Sequence, residues 1–382
     1  MKTRELLVVG GGPAGLAVAI RARQRDVSVT VIDARKPPID KACGEGLMPD
    51  GVALLQELGV ELTAGDRRDF VGIRYLDGAT RAEARFPTRP GWGVRRRTLH
   101  QAMVRRAEDC GVDLRWGVTA TGYRDGVVET REGSFEARYV VAADGLRSPM
   151  RRLAGLEGAP AKRRRFGHRR HYRIAPWSEH VEVYWQEGCE AYVTPVAEDQ
   201  VGIAVLSDDP GRAEGSWLDL FPALAERVAG AECVSRNRGA GPLRQRASRV
   251  CSGRLALVGD AGGYLDAITG EGLSVAFHQA FAVVDAIEAN DLPRYAREHR
   301  RILRLPDAMT GLLLAIERRP RLRRRVVAAL AAEPDVFARF LAVHAREAAP
   351  MSIGAGGLAR LLRRVIAGTP ASGSRSVARP VA

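Results

Sequence analysis

Residues 7–19 read LVVGGGPAGLAVA, an apolar run, a glycine-rich turn and the start of an apolar helix. Glu5–Val9 predicts a short strand, Gly10, Gly12 and Gly15 supply the spacing GxGxxG around Pro13 and Ala14, and Leu16–Ile20 opens a helix. A turn without Cβ atoms lets a pyrophosphate lie against backbone amides at the positive end of the helix that follows. A second strand, Val27–Ile32, runs into Asp33, Ala34 and Arg35, at about the 20-residue distance where an acid meets ribose hydroxyls. Together these features predict a dinucleotide-binding βαβ unit. The same chain holds a control. Gly354, Gly356 and Ala359 of IGAGGLAR fit GxGxxA, but REAAPMS before them is no strand and too little chain follows for a βαβ unit. That segment reads as a loop before a helix, so no second nucleotide domain is expected.

Two more clusters follow in order, AADGLRSPMR at 142–151 and LVGDAGGYLDAITGEGLSVAF at 257–277. DGLRSPMR, with Asp144, Gly145, Ser148 and Arg151, resembles the DG motif of para-hydroxybenzoate hydroxylase-like flavoproteins, a group that includes geranylgeranyl reductase-like and halogenase-like members. Gly259 and Asp260 resemble its GD motif, and Arg96 in RRTL resembles its nucleotide-facing arginine. KACGEGLMPDGVALLQELGV, residues 41–60, resembles the segment after the second strand in its reductase-like form. The ordered trio, spread over residues 1–300, implies FAD. It implies an α/β fold in which a Rossmann-like, glutathione reductase-type FAD domain carries an inserted β-sheet substrate domain and a helical C-terminal segment. It also implies cofactor contacts from Gly10, Gly12, Pro13, Ala14, Gly15, Asp33, Ala34, Arg35, Lys41, Gly44, Arg96, Ala120, Asp144, Gly145, Gly259, Asp260, Gly270, Gly272 and Leu273. Ala267 stands where the family usually has proline.

The third cluster also has a physical reading of its own. A strand Leu255–Val258 delivers Asp260, whose carboxylate can accept from a ribityl hydroxyl. Gly270 and Gly272 open a helix whose apolar positions Leu273, Ala276, Phe277, Ala280, Val284 and Ile287 keep the helical period. Its free amides and partial positive charge would face negative charge developing on a flavin pyrimidine ring.

The inserted pieces read as strands: HVEVYWQE alternates Val181, Val183 and Trp185 with polar residues, and CEAYVTPV and VGIAVL follow around AEDQ. The motif positions divide the chain into an FAD domain at 1–66, 93–160 and 250–300, and a substrate domain at 67–92 and 161–249. A helical segment at 301–370 and a disordered tail, ASGSRSVARPVA, at 371–382 complete it. Thr98 and Gln101 predict a capping box before a helix carrying Leu99, Ala102, Met103 and Ala107.

The net charge is +14, and 55 of the 59 basic residues are arginine, the lysines being Lys2, Lys36, Lys41 and Lys162. No segment resembles a nucleic-acid module, so the charge reads as composition and no nucleic-acid partner is expected. KRRRFGHRRHYR, Lys162–Arg173, reads as a solvated strand and loop, with attraction of NADPH or an acidic substrate as the alternative. The basic C-terminal helices read as a cover on the core with arginines in water, a membrane surface being the alternative. Five cysteines without CxxC suit a reducing cytoplasm. The first apolar stretch belongs to the βαβ unit rather than to a signal peptide, and no apolar run reaches the roughly 18 residues of a membrane span.

GLSVA at Ser274 is no nucleophile elbow, the histidines and cysteines lack metal-ligand spacing, and neither a WxWxIP-like segment nor a recognisable catalytic lysine supports a halogenase. The first functional reading is a single-component, NADPH- or NADH-dependent monooxygenase acting on an aromatic or polyketide-like, lipophilic small molecule. The second, suggested by CGEGLMP, is a reductase of an isoprenoid or enone double bond; a third is a flavin-binding protein without turnover, against which the intact motifs argue. Cys43, His171, Trp185 and Tyr192 are the catalytic candidates. With no second nucleotide domain, Arg147, Arg151 and Arg163–Arg165 are candidates to attract the nicotinamide phosphates.

Overall fold

Arg4–Val9 is the central strand of the first sheet, pairing in parallel with Val29–Asp33 on one side and Gly133–Ala142 on the other. A computed structural model describes residues 4–160, 163–211 and 217–367; Lys162 and the 371–382 tail lie outside the described residues. Asp113–Trp116 extends this sheet beyond Val29–Asp33, and Leu255–Leu257 with Cys251–Ser252 extends it beyond Gly133–Ala142. Alternation along the central strand decides what each face buries. Leu6 and Val8 pack under the helices Pro13–Arg23, Arg96–Asp109 and Gly272–Glu288 through Leu16, Ile20, Met103 and Phe277. Leu7 and Val9 join Val140, Met150 and Leu257 on the other face. At roughly 25 cal/mol per Å², these buried aliphatic layers supply most of the stabilisation of the sheet.

The second sheet is threaded through the first. Its order is Glu232–Cys233, Phe166–Arg173, Gln200–Ser207, Cys189–Ala197, His180–Gln186, Gly72–Asp77 and Thr80–Arg85, with Arg238–Ala240 also on Phe166–Arg173. Val181, Val183 and Trp185 face one way, as their spacing predicts. Their polar alternates do not face water. Tyr184 packs with Ala191, Val193 and Trp217, and Glu182 is buried beside it, accepting from Arg74 at 2.6 Å, Trp177 at 2.8 Å and Tyr184 at 2.7 Å. Sheet burial on both faces accounts for this, because polar positions survive there only when fully bonded.

Two local expectations fail. The helix after the first insertion begins at Arg96, two residues before Thr98, so Thr98 and Gln101 form no capping box. Its amino end is capped from a distance, since the Arg96 N–H donates to Glu45 Oε1 at 2.8 Å. The second concerns Lys162–Arg173: Arg163 and Arg164 are an exposed loop and Phe166–Arg173 is a strand, but that strand is an inner one, and Arg165 and Arg169 are buried rather than solvated. IGAGGLAR is a short turn, Pro350–Ile353, followed by a helix, Ala355–Ala367, that absorbs Gly356. The remaining C-terminal helices are Leu292–Glu317, Pro320–Ala332 and Pro334–His344, the last two beginning at prolines, where a missing N–H costs nothing.

Candidate active site

The fingerprint turn is set by close packing. A Cβ on Gly15 would stand 1.8 Å from the Gly10 carbonyl oxygen, so only glycine lets this helix approach the strand. Gly12 differs. The nearest atom to a Cβ there is Arg96 Nη2 at 3.7 Å, which leaves its backbone open to an anion. Asp33 accepts from Gly11 N and Arg35 N, both at 2.8 Å. His100, which the sequence did not single out, braces the same turn. Ile39 N donates to its Nδ1 at 3.4 Å, so Nε2 carries the proton and donates to Gly11 O at 2.8 Å.

The DG and GD motifs are joined by one side chain. Asp144 accepts from Ser148 Oγ at 2.5 Å and Met150 N at 2.8 Å, and Ser148 caps the short helix Pro149–Leu153 by accepting from Arg151 N. The buried Arg151 guanidinium then donates to the carbonyls of Leu146 at 3.1 Å and Ala261 at 3.0 Å. Arg151 is a clamp between the two loops and is not available to a nicotinamide phosphate. Arg165 is excluded for the same reason: it is buried, paired with Glu190 at 2.6 Å and Asp266 at 3.2 Å. Arg147, Arg163 and Arg164 remain exposed. Gln279 fixes the GD turn by accepting from Gly259 N at 2.7 Å, and the amino end of Gly272–Glu288 points into the space beyond.

That space is one cavity of about 910 Å³. Gly12, Pro13, Ala14, Arg35, Lys41, Gly44, Arg96, Asp144, Gly145, Gly259, Asp260, Gly270, Gly272 and Leu273 all border it. Gly10, Gly15 and Asp33 support its wall without lining it; Ala34 is exposed, and Ala120 packs on the far face of the first sheet, away from the cavity. Burial raises the Asp260 carboxyl above its ordinary value, opposed by Lys41 and Arg96, and lowers the Lys41 ammonium with Arg35 acting in the same sense. Arg96 Nε is buried and has no hydrogen-bond partner among the described residues. An unpartnered buried guanidinium atom beside an open glycine backbone fits a diphosphate, and no atom within 4 Å would meet a Cβ on Gly44 or Gly270.

Cys43, Trp185 and Tyr192 line the same cavity, but His171 does not. Arginine can only donate, so Arg169 Nη1 at 3.0 Å makes His171 Nδ1 an acceptor, and Nε2 donates to Glu45 Oε2 at 2.5 Å. His171 therefore reaches the cavity through Arg169 and through Glu45, a buried residue at φ 61° that the sequence did not mark beyond the CGEG pattern. Tyr192 donates to the Ile268 carbonyl at 2.8 Å, tying the second sheet to the GD segment. Burial pushes the Cys43 thiol up, which holds its proton on. Phe70, the second sheet and the C-terminal helices give the same cavity a largely apolar wall, the latter two through Tyr75, Val183, Trp185, Phe337 and Leu361.

Residues 3–290 match the FAD binding domain family. The chain belongs to this family. It is an FAD-binding oxidoreductase of a family that acts on small molecules. It is similar to menaquinone reductase of Mycobacterium tuberculosis, at 27% identity over 325 residues, which cover 76% of this chain and 78% of that protein. Digeranylgeranylglycerophospholipid reductase 1 of Methanopyrus kandleri is 29% identical over 322 residues, 75% of this chain and 82% of that protein. A hydroxylase and a brominase also stand among its relatives. In fold it matches a flavoprotein/dehydrogenase from Cytophaga hutchinsonii with a TM-score of 0.82 at 18% identity, covering 96% of this chain and all of that one. Among the described residues no helix is long and apolar enough to cross a membrane, and none of the five cysteines forms a disulfide.

Proposed function

We propose that this flavoprotein reduces a carbon–carbon double bond of a lipophilic, isoprenoid-like substrate, with NADPH or NADH as the transient reductant. The observation that carries this reading is Cys43, a protonated thiol lining the one cavity that the polar fingerprint, DG and GD residues share with a largely apolar wall. Bound FAD, once reduced, supplies a hydride. Saturating the bond needs one hydride and one proton, and Cys43 Sγ–H is placed to give the proton, recovering one from water in the cavity. Arg96 and the amides around Gly12 would hold the diphosphate, Asp260 the ribityl chain, and the Gly272 helix end the electron-rich edge of the ring. Trp185 and Val183 would press the substrate against that ring.

The reductase relatives support this order over the hydroxylation that the sequence put first. A ubiquinone hydroxylase of Rhodospirillum rubrum, 28% identical over 82% of this chain, favours hydroxylation as the second reading. One experiment separates them. The holoenzyme is mixed with NADPH and polyprenylated quinones, with and without oxygen, and the product is weighed by mass spectrometry. Gain of two hydrogens without oxygen that persists after the quinol is reoxidised to quinone supports reduction of the side-chain double bond; gain of one oxygen atom, only in air, or a two-hydrogen gain that reoxidation removes, sinks it.

A further inference from the structure

The last helix leaves half of its apolar surface uncovered. Gly357 and Leu361 of Ala355–Ala367 are buried against the core, whereas Leu358, Leu362 and Ile366 fall four residues apart on the neighbouring face. Leu362 is 51% exposed, Ile366 76%, and Met351 in the preceding turn 91%. Scattered exposed leucines need no explanation, but a helical stripe continued by a methionine does. Leu358 and Leu362 also border the cavity, as does Leu312 of the helix Leu292–Glu317, which is likewise exposed. The apolar end of the cavity therefore meets solvent at this stripe.

Charge surrounds it. Residues 318–367 hold eleven arginines and three acids, a net +8 within a chain of net +14. Arg360 and Arg364 share Glu333, at 3.1 and 2.7 Å, while Arg363 on the same helix is exposed; Arg339, also exposed, reaches the Ile353 carbonyl beside Met351. A second copy of this face would set arginine against arginine. An anionic surface would neutralise it and accept the apolar stripe.

We infer that the stripe Met351, Leu358, Leu362 and Ile366 docks on an anionic lipid bilayer, placing the apolar mouth of the cavity where a lipophilic substrate resides. The docking stands on exposure and charge alone; the entry of substrate rests on the reading proposed above. The FAD-loaded full chain is sedimented with vesicles of phosphatidylcholine, alone or with about one third phosphatidylglycerol. We expect binding to the anionic vesicles only, weakened by salt, and weakened at least about tenfold in the Met351→Glu, Ile366→Glu double variant at unchanged flavin content and melting temperature. Arg363→Glu should reduce binding several-fold and flatten its salt dependence. Three results overturn the inference: no binding of the wild type to anionic vesicles, equal binding by the double variant, or a wild-type dimer that the double variant renders monomeric. Binding seen only after truncation at Ala367 overturns it too, because the 368–382 segment would then be the occupant. Docking without double-bond reduction would remove the proposed reaction and leave the docking intact.

Discussion

The two ends of the cavity are made by opposite means. The cofactor end is built from three glycine-rich loops whose conformations are set within about ten residues of chain, and Lys41, Arg96 and Asp260 are among its charged groups. The far end is mostly apolar and draws its wall from strands near residues 70 and 185 and from helices after residue 308. Backbone geometry makes the first and long-range packing makes the second. Substitutions should divide accordingly, with abrupt failure at the loops and graded loss across the sheet.

Gly15 and Gly12 give the largest expected contrast. Gly15→Val drives a side chain into the Gly10 carbonyl and leaves no route for relief, so the protein should be insoluble or unfolded by circular dichroism. A Cβ on Gly12 meets only Arg96 Nη2, at an ordinary 3.7 Å, so Gly12→Glu should fold with native circular dichroism and purify without flavin absorbance. Stoichiometric FAD in Gly12→Glu would overturn the placement of the diphosphate, and a soluble, native Gly15→Val would break the distinction between the two glycines.

Arg165 tests the long-range packing outside the cavity lining. One buried guanidinium faces two buried carboxylates, Glu190 and Asp266, and burial pushes Glu190 up to about 7 in spite of the pairing. Arg165→Met leaves both acids without their cation and should cost about 3–5 kcal/mol of unfolding free energy by denaturant titration. The pH dependence has a definite sign. A carboxyl whose folded pKa lies above its ordinary value of 4.5 contributes stability that is complete below 4.5 and is lost as pH rises through about 7. Glu190→Gln should flatten the stability profile across that window. An unchanged slope in Glu190→Gln would mean that this carboxyl is not the group titrating there.

The difference between the ends also decides what the sequence made legible. Gly10, Gly12, Gly15, Asp144 and Asp260 could be read because each serves a turn defined by its neighbours, and so could the alternation of Val181, Val183 and Trp185. Arg151 and Arg165 were misread as exposed phosphate ligands because exposure depends on partners about 110 and 101 residues away in the chain. Glu45 was missed because its three tasks, capping the Arg96 helix, holding His171 and flanking Cys43, belong to three segments. The capping box at Thr98 failed for the same reason: a distant carboxylate satisfied the helix end first.

Cys43 sharpens the comparison from a place in the lining that both ends share. Its substitution by serine keeps the shape and removes the thiol proton, so stability and flavin content should not change while turnover falls by about 10²–10⁴. Flavin reduction by NADPH should stay normal in that variant, separating proton delivery from electron entry. Full turnover in Cys43→Ser would leave the thiol as a packing residue and return the proton to cavity water.

The smallest expected effect concerns electron entry. The buried arginines are committed to the fold, which leaves Arg147, Arg163 and Arg164 as exposed cations for nicotinamide phosphates. Exposed charges act through a screened field, with a Debye length of about 10 Å at 0.1 M salt. Direct reduction by NADPH, followed anaerobically by stopped flow, should therefore show an apparent affinity that falls several-fold with rising ionic strength at a nearly constant limiting rate. Arg163→Glu with Arg164→Glu should lower the affinity at low salt and remove most of that dependence, whereas Arg147, which donates to the Gly241 carbonyl at 2.8 Å, should matter less. If either nicotinamide leaves the flavin oxidised while a separate reductase or ferredoxin restores turnover, electrons enter through a partner protein and these arginines have no part in the reaction.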